Sequence, residues 1–220
     1  MKEYFEIIKK LYGIDTLKGY AKEEMAILKQ KFHPLPHVLE EYYHTAAQTA
    51  ASHFVQDNWI SPHELTQPYL DKLSNILPLL YENQGICYAG ILKKDLCLSN
   101  PPVYTFYDDK TWELCTPKLN EFILAALLYE SCFTFEHCAE DFFSLTQEEL
   151  KTIQAQLTKY PFQIQSWIDH INISFYHNAC DNLAVVFTFQ NGDLQLVYGA
   201  ASLDSYKALL CVLKNIGEPL

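Results

Sequence analysis

The sequence contains no arginine: all 16 of its basic residues are lysines, against 27 acidic residues and a net charge of −11. Arginine is the side chain best suited to paired hydrogen bonds with phosphate groups and base edges. Because neutralisation of phosphate charge dominates affinity for nucleic acid, this composition argues against a nucleic-acid-binding protein. A cationic protein partner suits an acidic chain better, since opposite charge accelerates association. The same acidity also occurs in proteins that need it only for solubility.

Glycine is scarce, with seven residues in 220, and the motifs of common active sites are missing. The chain has no glycine-rich phosphate-binding loop, no zinc-protease motif and no nucleophile-elbow motif. Its seven cysteines form no pair at zinc-finger spacing, and their odd number is typical of free thiols in a reducing compartment. We therefore expect no metal site, no cofactor and no catalytic centre.

Long apolar segments are also lacking. No apolar run reaches the ~18 residues that a membrane-spanning helix requires. Residues 1–11 mix lysine and glutamate with apolar side chains and contain no signal-peptide core. We therefore expect a cytoplasmic protein with no membrane partner, either a monomer or a weak dimer.

One enzymatic alternative remains open in the sequence. Cys132 is followed by His137, and a cysteine–histidine pair can act as a nucleophile if the two side chains touch and a third group orients them. Proximity along the chain establishes neither condition. A buried, neutral thiol at Cys132 would argue against this alternative.

Helical periodicity is present in several segments. Apolar residues recur at helical spacing over residues 2–11, where Gly13 ends the pattern, and over residues 21–32. Residues 119–133 are apolar nearly all round, which predicts a helix in the centre of the fold. Residues 146–149 form a capping box that predicts a helix start, and a final helix is expected over residues 203–215.

Strand patterns lie between these helices. They cover residues 79–81, 86–92, 103–107, 111–114, 171–176, 183–190 and 193–198. Asn191-Gly192 is a strong hairpin signal, and residues 108–110 are expected to form a second hairpin loop. We predict a single α+β domain over residues 1–220 with a twisted, mainly antiparallel sheet packed by helices. Residues 171–215 are expected to complete that sheet.

An acidic stretch with interleaved phenylalanines stands out between residues 130 and 149. It contains no lysine and holds Glu130, Glu136, Glu140, Asp141, Glu148 and Glu149, with Phe133, Phe135, Phe142 and Phe143 between them. One interpretation is a helix end followed by a solvated loop beside the core. The other is an acidic rim around aromatic anchors, which is how an interface to a basic protein is built.

The second interpretation predicts specific contact residues for a protein partner. Glu136, Glu140 and Asp141 are expected to steer the partner by charge. Phe135 or Phe142 is expected to supply a desolvated anchor. A second acidic patch is expected at the predicted hairpin tip, which carries Asp108 and Asp109.

Five segments resemble, in order, sequence motifs of the SUKH superfamily. They are residues 35–43, 60–65, 82–91, 100–104, and Trp112 together with residues 119–133. The resemblance covers roughly residues 20–135, and the five segments are more specific together than any one alone. One departure is Ala89, which stands where the family pattern has a tryptophan and which puts the shape of any groove beside it in doubt.

This resemblance implies an α+β fold and a binding role. Bacterial SUKH proteins are typically immunity proteins that are encoded beside polymorphic toxins, many of them nucleases, and that neutralise the toxin by binding it. Other members act as interaction modules in regulation. The expectation is therefore a non-catalytic immunity protein for a basic, nuclease-type toxin domain, and the alternative is a regulatory module without a toxin partner. The binding surface varies within the family, so the resemblance assigns no contact residues.

Overall fold

The structure is a computed structural model that describes residues 1–73, 75–107, 111–162 and 164–220, without the side chains of residues 71 and 72. Its α-helices are α1 (Lys2–Tyr12), α2 (Lys22–Lys31), α3 (His37–Thr45), α4 (Ala47–Ala51), α5 (Leu119–Ser131), α6 (Gln147–Gln156) and α7 (Leu203–Leu213). Short 3-10 helices cover Glu64–Thr66, Pro68–Leu73 and Lys93–Asp95. Over the described part of the chain, none of these helices combines the length and apolar content needed to cross a membrane.

The strands form two sheets. The first half of the chain contributes β1 (Asp57–Trp59), β2 (Ile76–Glu82), β3 (Tyr88–Leu92), β4 (Val103–Tyr107) and β5 (Thr111–Thr116). The second half contributes β6 (His137–Cys138), β7 (Phe143–Leu145), β8 (Thr158–Lys159), β9 (Ile164–Gln165), β10 (Asn172–His177), β11 (Asn182–Thr188), β12 (Leu194–Ala200) and β13 (Glu218–Pro219). The predicted α+β class with mainly antiparallel pairing is therefore confirmed.

The first sheet is an antiparallel meander in the order β1-β2-β3-β4-β5. Gly90 of β3 lies against β2, where an added Cβ atom would come within 2.5 Å of the Leu77 carbonyl oxygen. Only a residue without a side chain fits this approach. The neighbouring Ala89 is fully buried, so the position that departs from the SUKH pattern faces the interior in this protein.

The turn between β2 and β3 is held by its own polar side chains. The Glu82 carboxylate accepts the backbone N–H of Gln84 at 2.7 Å, and Gly85 adopts a left-handed conformation with φ 69°. Asn83 accepts a hydrogen bond from the side-chain amide of Asn58 at 3.1 Å, which ties the turn to β1. The side chains of Glu82 and Asn83 therefore stabilise the turn.

The C-terminal strands build a second sheet. Residues 171–215 were expected to complete a single sheet, whereas β10, β11 and β12 are the centre of a separate one in the order β13-β7-β12-β11-β10-β8. Strand β6 pairs beside β12, and β9 pairs beside β10. The physical reason lies in β11, which is apolar on both faces and therefore needs cover on two sides.

Two hydrophobic clusters provide that cover. Val185 and Phe187 of β11 belong to the main core, which also includes α1, α3, α5 and the first sheet. Ala184 and Val186 point the other way, into a smaller cluster with α6 and α7. Helix α5 is buried along nearly its whole length, as its apolar sequence predicted.

Candidate partner-binding surface

The predicted acidic surface segment lies between two short strands at one edge of the second sheet. Strand β6 pairs with the end of β12 at Gly199 and Ala200, and β7 pairs with its beginning at residues 194–196. The chain between β6 and β7 therefore follows the same edge of β12 as a bulge, in which residues 139–142 lie opposite residues 197–198. The Ala139 N–H donates to the Tyr198 carbonyl oxygen at 2.9 Å within this bulge. Glu136 directly precedes β6, Glu140 and Asp141 lie in the bulge, and all three are exposed.

These residues surround a depression of about 530 Å³, which we call the acidic depression. Its lining comes from residues 136–141, from β7, β12 and α7, and from the C-terminal strand: Glu136, His137, Cys138, Ala139, Glu140, Asp141, Phe143, Tyr198, Tyr206 and Pro219. The depression is therefore assembled from segments that are up to 83 positions apart in the sequence (219 minus 136).

A row of rings forms the floor of the acidic depression. Phe143 lies 5.7 Å from Tyr198 between ring centroids, and Tyr198 lies 6.1 Å from Tyr206 with an interplanar angle of 23°. His137 continues the row at 6.3 Å from Tyr206 with an angle of 29°. The Tyr206 hydroxyl donates to the Cys138 carbonyl oxygen at 3.1 Å, which fixes the ring against β6.

The electrostatics of the depression favour a cation. Within the described part of the chain, Glu136, Glu140 and Asp141 take part in no ion pair and no side-chain hydrogen bond. Burial raises the pKa of Tyr206, and the nearby Cys138 and Glu140 raise it further, so the phenol stays neutral. A neutral aromatic face beside free carboxylates attracts a lysine or arginine side chain both by charge and by the ring quadrupole.

The other acidic residues of the 130–149 stretch are already engaged. Glu130 is fully buried in the core. Glu148 pairs with Lys151 at 2.7 Å. Glu149 closes the predicted capping box with Thr146 and also accepts the Gly217 N–H at 2.8 Å. The stretch therefore supplies three free carboxylates rather than six.

The predicted aromatic anchors occupy different environments. Phe135 is only 8% exposed and belongs to the main core, so it does not present a ring to a partner in this conformation. The reason is Gly199, which lies so close to the Phe135 ring that an added Cβ atom would come within 2.7 Å of it. Phe142 is half-buried and contacts Phe133 and Phe187, so part of its ring remains at the surface.

The remaining predicted contact residues, Asp108 and Asp109, lie outside the described residues. Tyr198, Tyr206 and Pro219 belong to the same surface, although their positions in the sequence do not indicate it. The alternation of β12 placed Tyr198 on one face of a strand, but no local signal indicates which distant segment a strand face meets.

The enzymatic alternative at Cys132 finds no support in the geometry. Cys132 is 3% exposed, and burial raises the pKa of its thiol far above the usual range. A thiol in such an environment is neutral and unreactive. Among the residues that the structure describes, no three or more His, Cys, Asp or Glu side chains are grouped so that they could hold a metal ion.

Fold and surface together define an acidic α+β protein with an aromatic-floored depression. No protein-family model, no curated protein and no solved structure matches the chain. The resemblance to the SUKH superfamily therefore depends on the five sequence segments alone.

Proposed function

We propose that this chain is a non-catalytic immunity protein of the cytoplasm, which binds and neutralises a basic, nuclease-type toxin domain. The observation that carries this proposal is the acidic depression, where Glu136, Glu140 and Asp141 surround a floor of rings and have no cationic partner among the residues that the structure describes. The ordered SUKH-like segments support the same role through the family they resemble.

The charge of the depression suits a nuclease-type partner for a physical reason. A nuclease must present lysines and arginines along the groove that holds the phosphate backbone of its substrate. A surface that carries several free carboxylates is complementary to that groove and occludes it when bound. Such complementarity mainly accelerates association, and salt weakens it over a screening length of about 8 Å at physiological ionic strength.

The aromatic floor supplies the apolar binding energy that the surrounding charges do not. Buried rings at the centre of an interface provide most of the lasting binding energy, while charges at the rim mainly set specificity and rate. The row formed by Phe143, Tyr198, Tyr206 and His137 offers such a centre. Phe142 packs against the main core and does not line the depression. A lysine or arginine of the toxin would lie over Tyr206 and between the carboxylates.

Titration against the toxin domain encoded by the neighbouring gene tests the proposal. The triple variant Glu136→Gln, Glu140→Gln and Asp141→Asn removes the charges and keeps the shapes of the side chains. We expect its Kd at low salt to rise about tenfold to a hundredfold, since exposed charges contribute about 0.5–1 kcal/mol each. We also expect a slower association rate and a weaker dependence of Kd on salt.

A matched control removes three charges elsewhere. Glu3, Asp15 and Glu23 are exposed residues of the N-terminal region, and their neutralisation changes the net charge by the same amount. We expect the control variant to bind within about threefold of the wild-type Kd, because distant charges are screened. Equal losses in both variants would mean that net charge, not the acidic depression, attracts the partner.

The aromatic floor is tested by a pair of substitutions at one position. Tyr206→Ala removes a ring that stacks between Tyr198 and His137, and we expect faster dissociation of the complex. Tyr206→Phe keeps the ring and loses only the hydrogen bond to Cys138, so its dissociation rate should stay close to the wild type. Equal dissociation rates for both variants would show that the partner does not contact the ring of Tyr206.

The gene neighbourhood separates the proposal from its alternative. If no toxin gene lies beside this one and no cationic toxin domain binds, the immunity function is wrong. The alternative function, a regulatory interaction module without a toxin partner, would then be the better explanation.

A further inference from the structure

Two carboxyl side chains lie next to each other inside the core: Asp57 of β1, 2% exposed, and Glu130 of α5, fully buried. Glu130 accepts three consecutive backbone N–H groups. Its Oε2 accepts the backbone N–H of Val55 at 2.7 Å and that of Gln56 at 3.0 Å, and its Oε1 accepts the backbone N–H of Asp57 at 3.0 Å. Burial raises the pKa of Glu130, but because both of its oxygens face donors, these contacts oppose that effect and favour the ionised form.

Asp57 has a different set of contacts. Its Oδ2 accepts the indole N–H of Trp167 at 2.6 Å. Its Oδ1 is buried and has no hydrogen-bond partner among the described residues. A charged oxygen without a donor is costly inside a protein, and the negative Glu130 beside it raises that cost. Of the four carboxyl oxygens in the pair, Asp57 Oδ1 is therefore where a proton is best held.

The pair lies where separate parts of the fold meet. Asp57 belongs to the edge strand of the first sheet, and Glu130 belongs to the central helix α5. Trp167 belongs to the segment between β9 and β10 of the second sheet, and its ring packs against Phe122 and Tyr129 of α5. The hydrogen bonds of these two carboxyl groups therefore join both sheets to the central helix.

We propose that Asp57 and Glu130 form a proton-dependent latch between the two sheets, closed when Asp57 Oδ1 is protonated and loosened when that proton is lost. This inference does not depend on the proposed immunity function. It makes the rigidity of the core sensitive to pH in the neutral range.

Among the residues that the structure describes, no cation compensates a second negative charge here. Glu82 of β2 lies opposite Asp57 in the strand register and adds a further carboxylate. Tyr129 of α5 is neutral because burial raises the pKa of its phenol. Tyr12 of α1 is neutral for the same reason, and the His53 ring stacked on it has its pKa lowered by burial. In the described part of the chain, neither member of the pair forms an ion pair with a lysine.

These contacts set the pH range in which the latch changes state. Burial raises the pKa of Asp57 to about 7, the charges of Glu130 and Glu82 add to that effect, and the Trp167 hydrogen bond opposes it. An unfolded aspartate titrates near 3.9. Between about pH 4 and pH 7 the folded state thus binds the extra proton, so the contribution of Asp57 to stability falls as the pH rises.

The indole N–H of Trp167 reports on the latch directly. We expect its NMR resonance, assigned with a Trp167→Phe variant, to shift with a midpoint near pH 7 in the wild type. In Asp57→Asn, which mimics the protonated carboxyl group, the resonance should not titrate. A wild-type resonance that stays constant between pH 5 and 8.5 would overturn the proposal, even if the Asp57→Asn variant does not fold.

Thermal unfolding gives an independent measurement. Between pH 5 and pH 8 we expect the Tm of the wild type to fall by about 5 °C more than that of Asp57→Asn. The control Asp15→Asn removes an exposed carboxylate and should follow the wild type. If Asp57→Asn and Asp15→Asn show the same pH dependence, the latch does not exist.

Discussion

Single polar residues inside the fold mostly organise the backbone around them. Asn100, which lies in one of the SUKH-like segments, accepts the N–H of Asn120 at 3.0 Å and donates to its side chain at 2.7 Å, so it caps the start of α5. Glu64, in another such segment, accepts the hydroxyl groups of Tyr69 and Tyr81. The side chains of these segments therefore stabilise the fold, and the proposed partner surface lies elsewhere.

Glu130 is the residue whose loss should cost the most at this scale. We expect Glu130→Ala to lower the free energy of unfolding by at least about 3 kcal/mol, because it leaves the N–H groups of Val55, Gln56 and Asp57 without their acceptor. Urea unfolding followed by circular dichroism measures the change. The exposed Glu136→Ala serves as control and should stay within about 0.5 kcal/mol of the wild type. Equal stability of the two variants would contradict the buried role of Glu130.

Elements whose signals are local are the ones that the sequence predicted well. The capping box of α6 is present as expected, with the Thr146 hydroxyl accepting the Glu149 N–H at 3.2 Å and the Glu149 carboxylate accepting the Thr146 N–H at 2.8 Å. Gly13 ends α1 in a left-handed conformation, again as expected. Both signals lie within a few residues of the element that they delimit, so no tertiary contact is needed to interpret them.

The capping box predicts a measurable cost for its loss. We expect Thr146→Ala to destabilise the protein by about 1 kcal/mol, because the Glu149 N–H loses its acceptor. The measurement is again the free energy of unfolding in urea. Thr152→Ala, within the same helix, should be neutral or slightly stabilising because alanine is the better helix former. If Thr152→Ala lowered the free energy of unfolding more than Thr146→Ala, the capping box would not stabilise the protein.

Close strand approach predicts a larger effect at Gly90. We expect Gly90→Ala to lower the free energy of unfolding by about 2 kcal/mol or more, since its Cβ atom would meet the Leu77 carbonyl oxygen at 2.5 Å. Gly85→Ala is the comparison, because its nearest contact is the Tyr88 hydroxyl at 4.0 Å and only its positive φ is unfavourable. That cost should be about 1 kcal/mol. If both variants lowered the free energy of unfolding by similar amounts, β2 would be able to move away from β3 and make room for the added methyl group.

The whole molecule sorts its seven cysteines into two environments. Cys87, Cys115 and Cys132 are buried, whereas the other four, Cys97, Cys138, Cys180 and Cys211, are exposed. The fold therefore protects three thiols and leaves four accessible. The acidic depression is also a feature of the whole molecule, because its residues come from the second sheet, α7 and the C-terminal strand.

Alkylation with iodoacetamide tests this division. In the native protein we expect the four exposed cysteines to react and the three buried ones to stay free, with all seven reacting after denaturation. Mass spectrometry of peptides identifies the modified sites. Modification of Cys115 or Cys132 in the native protein would contradict the burial of these two thiols in the core.

The sequence by itself determined helices α1, α2, α5, α6 and α7, the longer strands, the hairpin at Asn191-Gly192 and the α+β class, because periodicity, caps and turn residues act over a few positions. It did not predict α4 or the short strands β1, β6, β7, β8, β9 and β13. Only the tertiary structure decided that β10, β11 and β12 form a second sheet. It also decided that Glu130 and Phe135 are buried while Glu136, Glu140 and Asp141 stay free beside Tyr206. Burial depends on contacts between residues far apart in the chain, such as Glu130 with the backbone at residues 55–57, and one sequence carries no local signal for those contacts.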